Sequence, residues 1–308
     1  YINAINVIKG AESVSTYAPV PEREKFRIEY WMLEEMKLRR RPALKPLTGK
    51  VALVTGGGSG IGRAISAIFC ENGAAVAVAD IDPDAAAQTA NEIGTTDTTM
   101  GVQADVSDPE AVRAAIDEVL LRYGGVDIVV NNAGLSISKS LLETTEKEWD
   151  LQHDVMAKGS FLVSKQAAAA MIAQGTGGDI VYVVSKNAVV AGPNNLAYGS
   201  AKASQAHQVR LLAAELGEWG IRVNGINPDG VVKGSGIFAG GWGAERARVY
   251  GVPEEELGRF YANRTLLKQE VLPEHVAQAA LALVGGSLSQ TTGLIIPVDS
   301  GVAAAFLR

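Results

Sequence analysis

A doubly wound α/β fold is predicted for this chain from three observations. A Val-rich run, 51–55, leads directly into a glycine cluster, Thr55-Gly56-Gly57-Gly58-Ser59-Gly60-Ile61-Gly62, that opens a helical pattern. From Val51 onward, short apolar runs alternate with helical patterns as far as Val298. Those runs are nearly continuous, as strands buried on both faces must be. Such alternation implies a parallel sheet covered by helices on each side.

Strands are expected at 51–55, 75–80, 100–105, 128–131, 180–185, 222–227 and 294–298. Between them, helices are expected to begin near Gly62, Pro83, Asp108, Lys147, Tyr198 and Pro273, several of them at Pro or Asp positions suited to a first turn. Residues 49–308 form the α/β domain. Residues 1–48 lack its rhythm and are read as a linker or docking extension. There Pro19 and Pro21 precede an expected helix, 22–40, with Phe26, Tyr30, Leu33 and Met36 at helical spacing and Arg39-Arg40-Arg41-Pro42 at its end. A basic nucleic-acid arm is the alternative, and the acidic residues beside it favour the linker. Residues 232–270 interrupt the alternation. Gly234, Gly236, Gly240, Gly241 and Gly243 surround Ile237, Phe238 and Trp242, the composition of a lid over the carboxyl ends of the strands. A surface excursion without function is the alternative.

Composition sets outer limits. The chain has 308 residues, 47% of them hydrophobic and 20% charged, with a net charge of -6. That balance does not favour nucleic acid or an anionic membrane surface as partner; the expected partner, from the motifs below, is a small-molecule substrate. Apolar stretches such as 180–184 are far shorter than the ~20 residues that span a bilayer, and the N-terminus lacks the features of a signal peptide. The single cysteine, Cys70, excludes an internal disulfide and fits a cytoplasmic location. Ile65, Ile68 and Phe69 around it suggest a packed helix position. Because the chain begins with Tyr1, it is expected to be a processed product or a piece of something longer. His153, His207 and His275 lie on separate elements without ligand spacing, so no metal site is expected.

The glycine cluster carries the first chemical signal. Gly56, Gly60 and Gly62 let backbone approach a pyrophosphate, with Ser59 and Ile61 in the same turn and the positive end of a helix aimed at the phosphates. Asp80 ends the next strand, where a carboxylate accepts hydrogen bonds from ribose hydroxyls and repels a 2′-phosphate. The expected cofactor is therefore NAD. A strand-end cap is the alternative for Asp80. Asp105-Val106 and Asn131-Asn132-Ala133-Gly134 end two more strands on the same side, making Asp105, Val106, Asn132, Ala133 and Gly134 further candidates. The second signal is Tyr198-Gly199-Ser200-Ala201-Lys202 on a late helix. A tyrosine titrates near 10, so it needs a nearby cation to act as a base, and Lys202 lies one turn away.

These motifs, with Thr292-Gly293-Leu294-Ile295-Ile296-Pro297-Val298-Asp299, resemble the short-chain dehydrogenases/reductases over 49–308. The resemblance implies a Rossmann fold, Tyr198 as general acid/base, Lys202 as its cationic partner and Ser185 as the holder of substrate oxygen. It also implies that Tyr198 and Lys202 reach the cofactor. Two places depart from the family pattern. Met156 stands where Asn is usual and is read as packing, because methionine cannot carry a water-linked proton relay. Asn227-Pro228-Asp229-Gly230 replaces the usual Pro-Gly, leaving backbone from Pro228 through Gly230 and Val231 to receive the carboxamide.

The run Glu29-Tyr30-Trp31-Met32-Leu33-Glu34-Glu35-Met36-Lys37-Leu38-Arg39-Arg40, together with Asp154-Val155-Met156 and the 227–232 loop, is similar to the bifunctional rhamnulose-1-phosphate aldolase/short-chain dehydrogenases. That likeness implies oxidation of lactaldehyde, rhamnose catabolism and an aldolase domain upstream in a longer parent chain, with no aldolase activity in these residues. Polyol oxidation and a non-enzymatic NAD sensor or scaffold stay open as alternatives. Helices at about 147–173 and 198–219 are interfaces in related enzymes, which implies a homodimer or homotetramer, and Ala167 to Ala170 suit close helix approach. Arg246, Arg248 and Arg264 are read as solvated helix faces, with an anion clamp as the alternative.

Overall fold

The computed structural model describes residues 2–29, 31–40, 43–234 and 243–306. Two compact units result, Tyr1–Leu44 and Lys45–Arg308. The first contains α1 (Ile2–Val14), α2 (Glu22–Glu29) and α3 (Met32–Arg39). The expected single helix over 22–40 is thus two, because Trp31 takes extended backbone between them, and α1 is an element the sequence reading lacked. Tyr30 and the Leu33 side chain lie outside the described residues. Of that stripe, the described side chains Phe26 and Met36 are 63% and 40% exposed.

The second unit is built on seven parallel strands. They are β1 (Val51–Thr55), β2 (Ala75–Asp80), β3 (Thr99–Gln103), β4 (Ile128–Asn131), β5 (Gly178–Val183), β6 (Ile221–Pro228) and β7 (Ile295–Val298). Their order is β3-β2-β1-β4-β5-β6-β7. Chain order reverses at β1, whose Val54 pairs with Val78 on one side and Val130 on the other. Ligands in open α/β sheets bind outside the strand ends at this reversal.

Each face of the sheet has its own core. Leu53, Ala77 and Val129 pack with α6 (Pro109–Tyr123), α8 (Gly159–Gln174) and α9 (Leu196–Leu216) through residues such as Ile116, Met171 and Val209. Ala52, Val54 and Val78 face α4 (Gly60–Glu71), α5 (Pro83–Ile93) and α12 (Pro273–Val284) through Ile65, Ala86 and Val276. The two-sided demand explains why all five residues of β1 are buried. Half-buried Cys70 packs against the second core as a free thiol.

The helix expected at 147–173 is interrupted. It consists of α7 (Glu146–Gln152), a π-helical stretch from His153 to Lys158, and α8. Met156 sits inside that stretch at 0% exposure. Ala167 and Ala168 point into the domain's own core, which corrects their reading as residues for close approach between subunits. Among the described residues, no helix is long and apolar enough to cross a membrane. Nor does any group of three His, Cys, Asp or Glu side chains among them suit a metal ion. His153 stacks on Trp149, and His275 Nδ1 accepts from Leu272 N at 3.1 Å.

Candidate active site

At the end of β1 the chain turns through Gly56, whose φ of +61° is rare for any side-chain-bearing residue. A Cβ there meets Ala133 Cα at 2.9 Å, so the loop lies directly on the end of β4. Asn132 fastens the two, its Nδ2 donating to Thr55 O at 3.0 Å and Gly56 O at 2.9 Å. Asp80 fastens the other side, accepting from Gly58 N at 2.9 Å and from Asp82 N at 3.2 Å. Ser59 is extended and makes no side-chain cap, which leaves the first N–H groups of α4 open to an anion.

Gly62 has a different task from the one its motif suggests. A Cβ at Gly62 meets Gly56 O at 2.1 Å and Asn132 Nδ2 at 2.5 Å. The residue therefore lets α4 pack tightly beneath the loop, and it lines none of the cavities that follow.

A cavity of about 330 Å³ opens over this loop, walled by Gly56, Ser59, Gly60, Ile61, Asp80, Asp105, Val106, Asn132, Ala133 and Gly134. Asp105 is fixed there by Ser107, which donates from N at 2.9 Å and from Oγ at 2.7 Å. A second cavity of about 340 Å³ is walled by Ser185, Tyr198, Lys202, Pro228, Gly230 and Val231. Ile61, Asn132 and Gly134 line both, so the cavities adjoin along the carboxyl ends of the strands. The residues that the two sequence motifs singled out, apart from Gly62, meet in this trough.

Ser185 follows β5 in extended backbone, and its Oγ accepts from Asn187 N at 3.2 Å. Lys202 is 4% exposed; its Nζ donates to Val183 O at 2.8 Å and lies 5.9 Å from the Tyr198 ring centroid. Burial pushes the Tyr198 phenol up to about 12, Ser185 pulls it down by hydrogen bonding, and the negative charge of Asp229 adds to the rise. Burial likewise pushes Lys202 down to about 7. Desolvation disfavours the charged form of each group, so in the protein alone Tyr198 stands above and Lys202 below its ordinary value.

Met156 lies under the floor of the trough, its Cγ 3.5 Å from where a Gly134 Cβ would stand. Asp154 and Lys158 pair with each other at 3.4 Å on the surface and line neither cavity. The 228–230 turn packs under Tyr261, since Gly230 has φ +65° and a Cβ there meets Tyr261 Cβ at 2.9 Å.

Several cavity residues escaped the sequence reading. Lys186 and Asp229 form an ion pair at 3.2 Å, and Asn195, Tyr250 and Tyr261 stand on the same wall. The pair had a readable signal. Val183 pairs with Ile226, so continuing β5 and β6 in register sets Lys186 beside Asp229. In the interrupted region, α10 (Gly243–Tyr250) and α11 (Leu257–Asn263) close one side of the cavity. Arg246 is 7% exposed and lines it, as does Arg264, which lies 5.7 Å from the Phe260 ring centroid. Arg246 corrects the reading as a solvated face; Arg264 is exposed as expected while also lining the cavity, and Arg248 is exposed and outside it. Gly236, Gly240, Gly241, Ile237, Phe238 and Trp242 of the expected lid lie outside the described residues.

Comparison with known proteins agrees with this architecture. Residues 56–303 match the family described as enoyl-(acyl carrier protein) reductase, and residues 1–38 match the second domain of class II aldolases. An uncharacterized oxidoreductase, YuxG, of Bacillus subtilis (strain 168) is 43% identical over 100% of this chain, which spans only 45% of that relative. An NAD-dependent glycerol dehydrogenase of Listeria innocua is 33% identical, covering 83% of this chain and 94% of its own length. The crystal structure of a short-chain type dehydrogenase/reductase from Mycobacterium marinum superposes with a TM-score of 0.73 at 30% identity, over 83% of this chain and 96% of that one. A seven-stranded parallel sheet reversing at β1, a glycine loop fastened to its strand ends and these relatives together establish that the chain belongs to the short-chain dehydrogenase/reductase family of oxidoreductases.

Proposed function

We propose that this chain is an NAD-dependent dehydrogenase that oxidises lactaldehyde or a related small hydroxy-carbonyl compound, as the dehydrogenase part of a rhamnose-catabolic aldolase/dehydrogenase. The observation that carries the reading is the shared wall of Ile61, Asn132 and Gly134, which joins the glycine-loop cavity to the one holding Ser185, Tyr198 and Lys202. The likeness of residues 1–38 to an aldolase domain, just ahead of the oxidoreductase domain, supports the bifunctional parent. Lactaldehyde follows from that parentage.

The donor set fits a dinucleotide. Gly56, Ser59 and Gly60 with the start of α4 would hold its pyrophosphate, Asp80 its adenosine ribose, and Lys202 with the 228–231 backbone its nicotinamide half. The Asp80 carboxylate on the cavity wall supports NAD over NADP, because it repels a 2′-phosphate. Asp80→Asn keeps an oxygen for Gly58 N and removes the charge, and is expected to reduce the preference for NAD over NADP about tenfold, roughly 1.4 kcal/mol. Initial rates with both cofactors measure it; an unchanged ratio argues against Asp80 as the selector.

Bound NAD supplies the acceptor for a hydride. Ser185 Oγ holds one hydroxyl of the hydrated aldehyde, and Tyr198 takes that hydroxyl's proton. The carbon–hydrogen bond breaks with its electron pair leaving as hydride, and the carbon is left as the carboxylic acid. Buried Lys202, its Nζ held by Val183 O at 2.8 Å, would contact the nicotinamide ribose when the dinucleotide is bound. Because burial raises Tyr198 to about 12 in the protein alone, its ionised fraction is small at neutral pH and rises with pH up to that value. The expected kcat/KM for oxidation therefore climbs through pH 7 to 9 without a plateau. A plateau near neutrality would show that the phenol of the free enzyme ionises much lower.

Lactaldehyde, glycerol and longer polyols assayed by NADH formation test the substrate reading. Fast polyol oxidation without lactaldehyde turnover shifts it to a polyol dehydrogenase, the reading that the Listeria relative favours. No turnover on any of them, with NAD still bound, leaves a sensor or scaffold. A homodimer or homotetramer is proposed from exposed Leu151, Phe161 and Leu211 on α7, α8 and α9, and sedimentation measures it.

A further inference from the structure

Two oppositely charged side chains stand in the wall of the cavity that holds Ser185 and Tyr198. Lys186 Nζ lies 3.2 Å from Asp229 Oδ1 and 3.3 Å from Oδ2, and the two side chains are 11% and 13% exposed. A buried pair of this kind adds little stability over apolar residues of similar size, because desolvation offsets its attraction. Its chemistry is what a cavity gains. The ammonium has three donors, of which Asp229 takes one direction, and the carboxylate keeps lone pairs beyond those facing Lys186.

A third polar side chain, Asn195, stands in the lining of the same cavity and is 9% exposed. A carboxylate, an ammonium and an amide in one lining supply both donors and acceptors, which matches a hydroxyl group, since it donates and accepts at once.

We propose that Lys186 and Asp229, with Asn195, read a hydroxyl on the carbon adjacent to the reacting one. The pair thereby restricts the enzyme to substrates with oxygen on neighbouring carbons, such as α-hydroxy aldehydes and vicinal diols, against plain aldehydes and alcohols. This rests on the dehydrogenase reading above and deepens it by naming the groups that choose the substrate. Lys186 directly follows Ser185 and Asp229 directly follows β6, and both line the cavity that holds Ser185 and Tyr198. The charge of Asp229 is felt at Tyr198. A hydroxyl held by the pair is therefore proposed to sit next to the oxygen that Ser185 and Tyr198 handle. A site built to hydrogen-bond a substrate hydroxyl rejects the analogue lacking it far more strongly than a greasy pocket rejects a missing methylene, because its own polar groups are then left unpaired.

The test compares lactaldehyde with propanal in the presence of NAD, and 1,2-propanediol with 1-propanol. For the parent, kcat/KM is expected to favour the hydroxylated member of whichever pair is turned over by about 100-fold or more. In Lys186→Met/Asp229→Leu, which removes both charges together and so leaves no lone buried ion, that ratio is expected to fall below about tenfold. Asn195→Ala should lower it by a smaller factor. Thermal melting and NADH fluorescence titration establish that each variant folds and binds dinucleotide. A parent ratio near one, or a ratio that the folded double variant keeps, overturns the assignment while leaving the dehydrogenase reading intact. A parent that binds NAD and turns over none of the four compounds overturns both.

Discussion

Tyr198→Phe is expected to lower kcat for oxidation by about 10³-fold, within the range a positioned acid/base contributes. NAD affinity should stay within about threefold, because the phenol oxygen, and not the ring, is what the variant loses. The ring's packing beside Lys202 survives, so the fold should melt at nearly the same temperature. Stopped-flow turnover with a parallel titration of NADH binding separates the two effects. A variant within tenfold of the parent would falsify Tyr198 as the base and move attention to the other titratable groups of the cavity. Ser185→Ala should follow at about 10², since it removes one hydrogen bond to the reacting oxygen and one influence that draws the phenol down.

The other large effect is expected at Gly62. Gly→Ala inside a helix ordinarily stabilises by up to about 1 kcal/mol. Here the new Cβ would stand 2.1 Å from Gly56 O, a backbone atom that no rotamer can move aside. Overpacking of this kind costs about 1–3 kcal/mol or more, which outweighs the helix gain. Gly62→Ala should therefore lose about 2 kcal/mol in denaturant unfolding and weaken NAD binding about tenfold, since the loop over α4 must shift. Gly217→Ala is the matching control, with nothing within 4 Å of its Cβ and an ordinary φ of −59°. Equal losses at both positions would mean that Gly62 is not under the loop as described.

Legibility followed the range of the forces involved. The strands could be read almost to the residue because parallel strands need apolar residues on both faces, and Val51–Thr55 and Ile128–Asn131 state this in contiguous sequence. Ends were less sharp: β5 is Gly178–Val183 where 180–185 was expected. Val184, one residue past the strand's end, still donates to Ile226 O at 2.8 Å, so the apolar run and the ladder bonds both reach the residue before Ser185. The π-helical stretch at His153–Lys158 has no periodic signature, since one extra residue per turn leaves the apolar pattern of its flanks intact.

The site divides along the same line. Glycines, a strand-end carboxylate, and a tyrosine and lysine one helical turn apart are local patterns, and chemistry needs them at short spacing whatever the rest of the chain does. By itself, the sequence determined a parallel α/β sheet with a glycine-loop cavity and an oxidoreductase family. Tertiary structure alone decided that Gly62 serves packing, that burial raises Tyr198 and lowers Lys202, and that Arg246 and Arg264 enter the cavity. It also decided that Lys186 meets Asp229. Desolvation and ion pairing depend on what folds over a group from distant segments, and no window of contiguous residues contains that information.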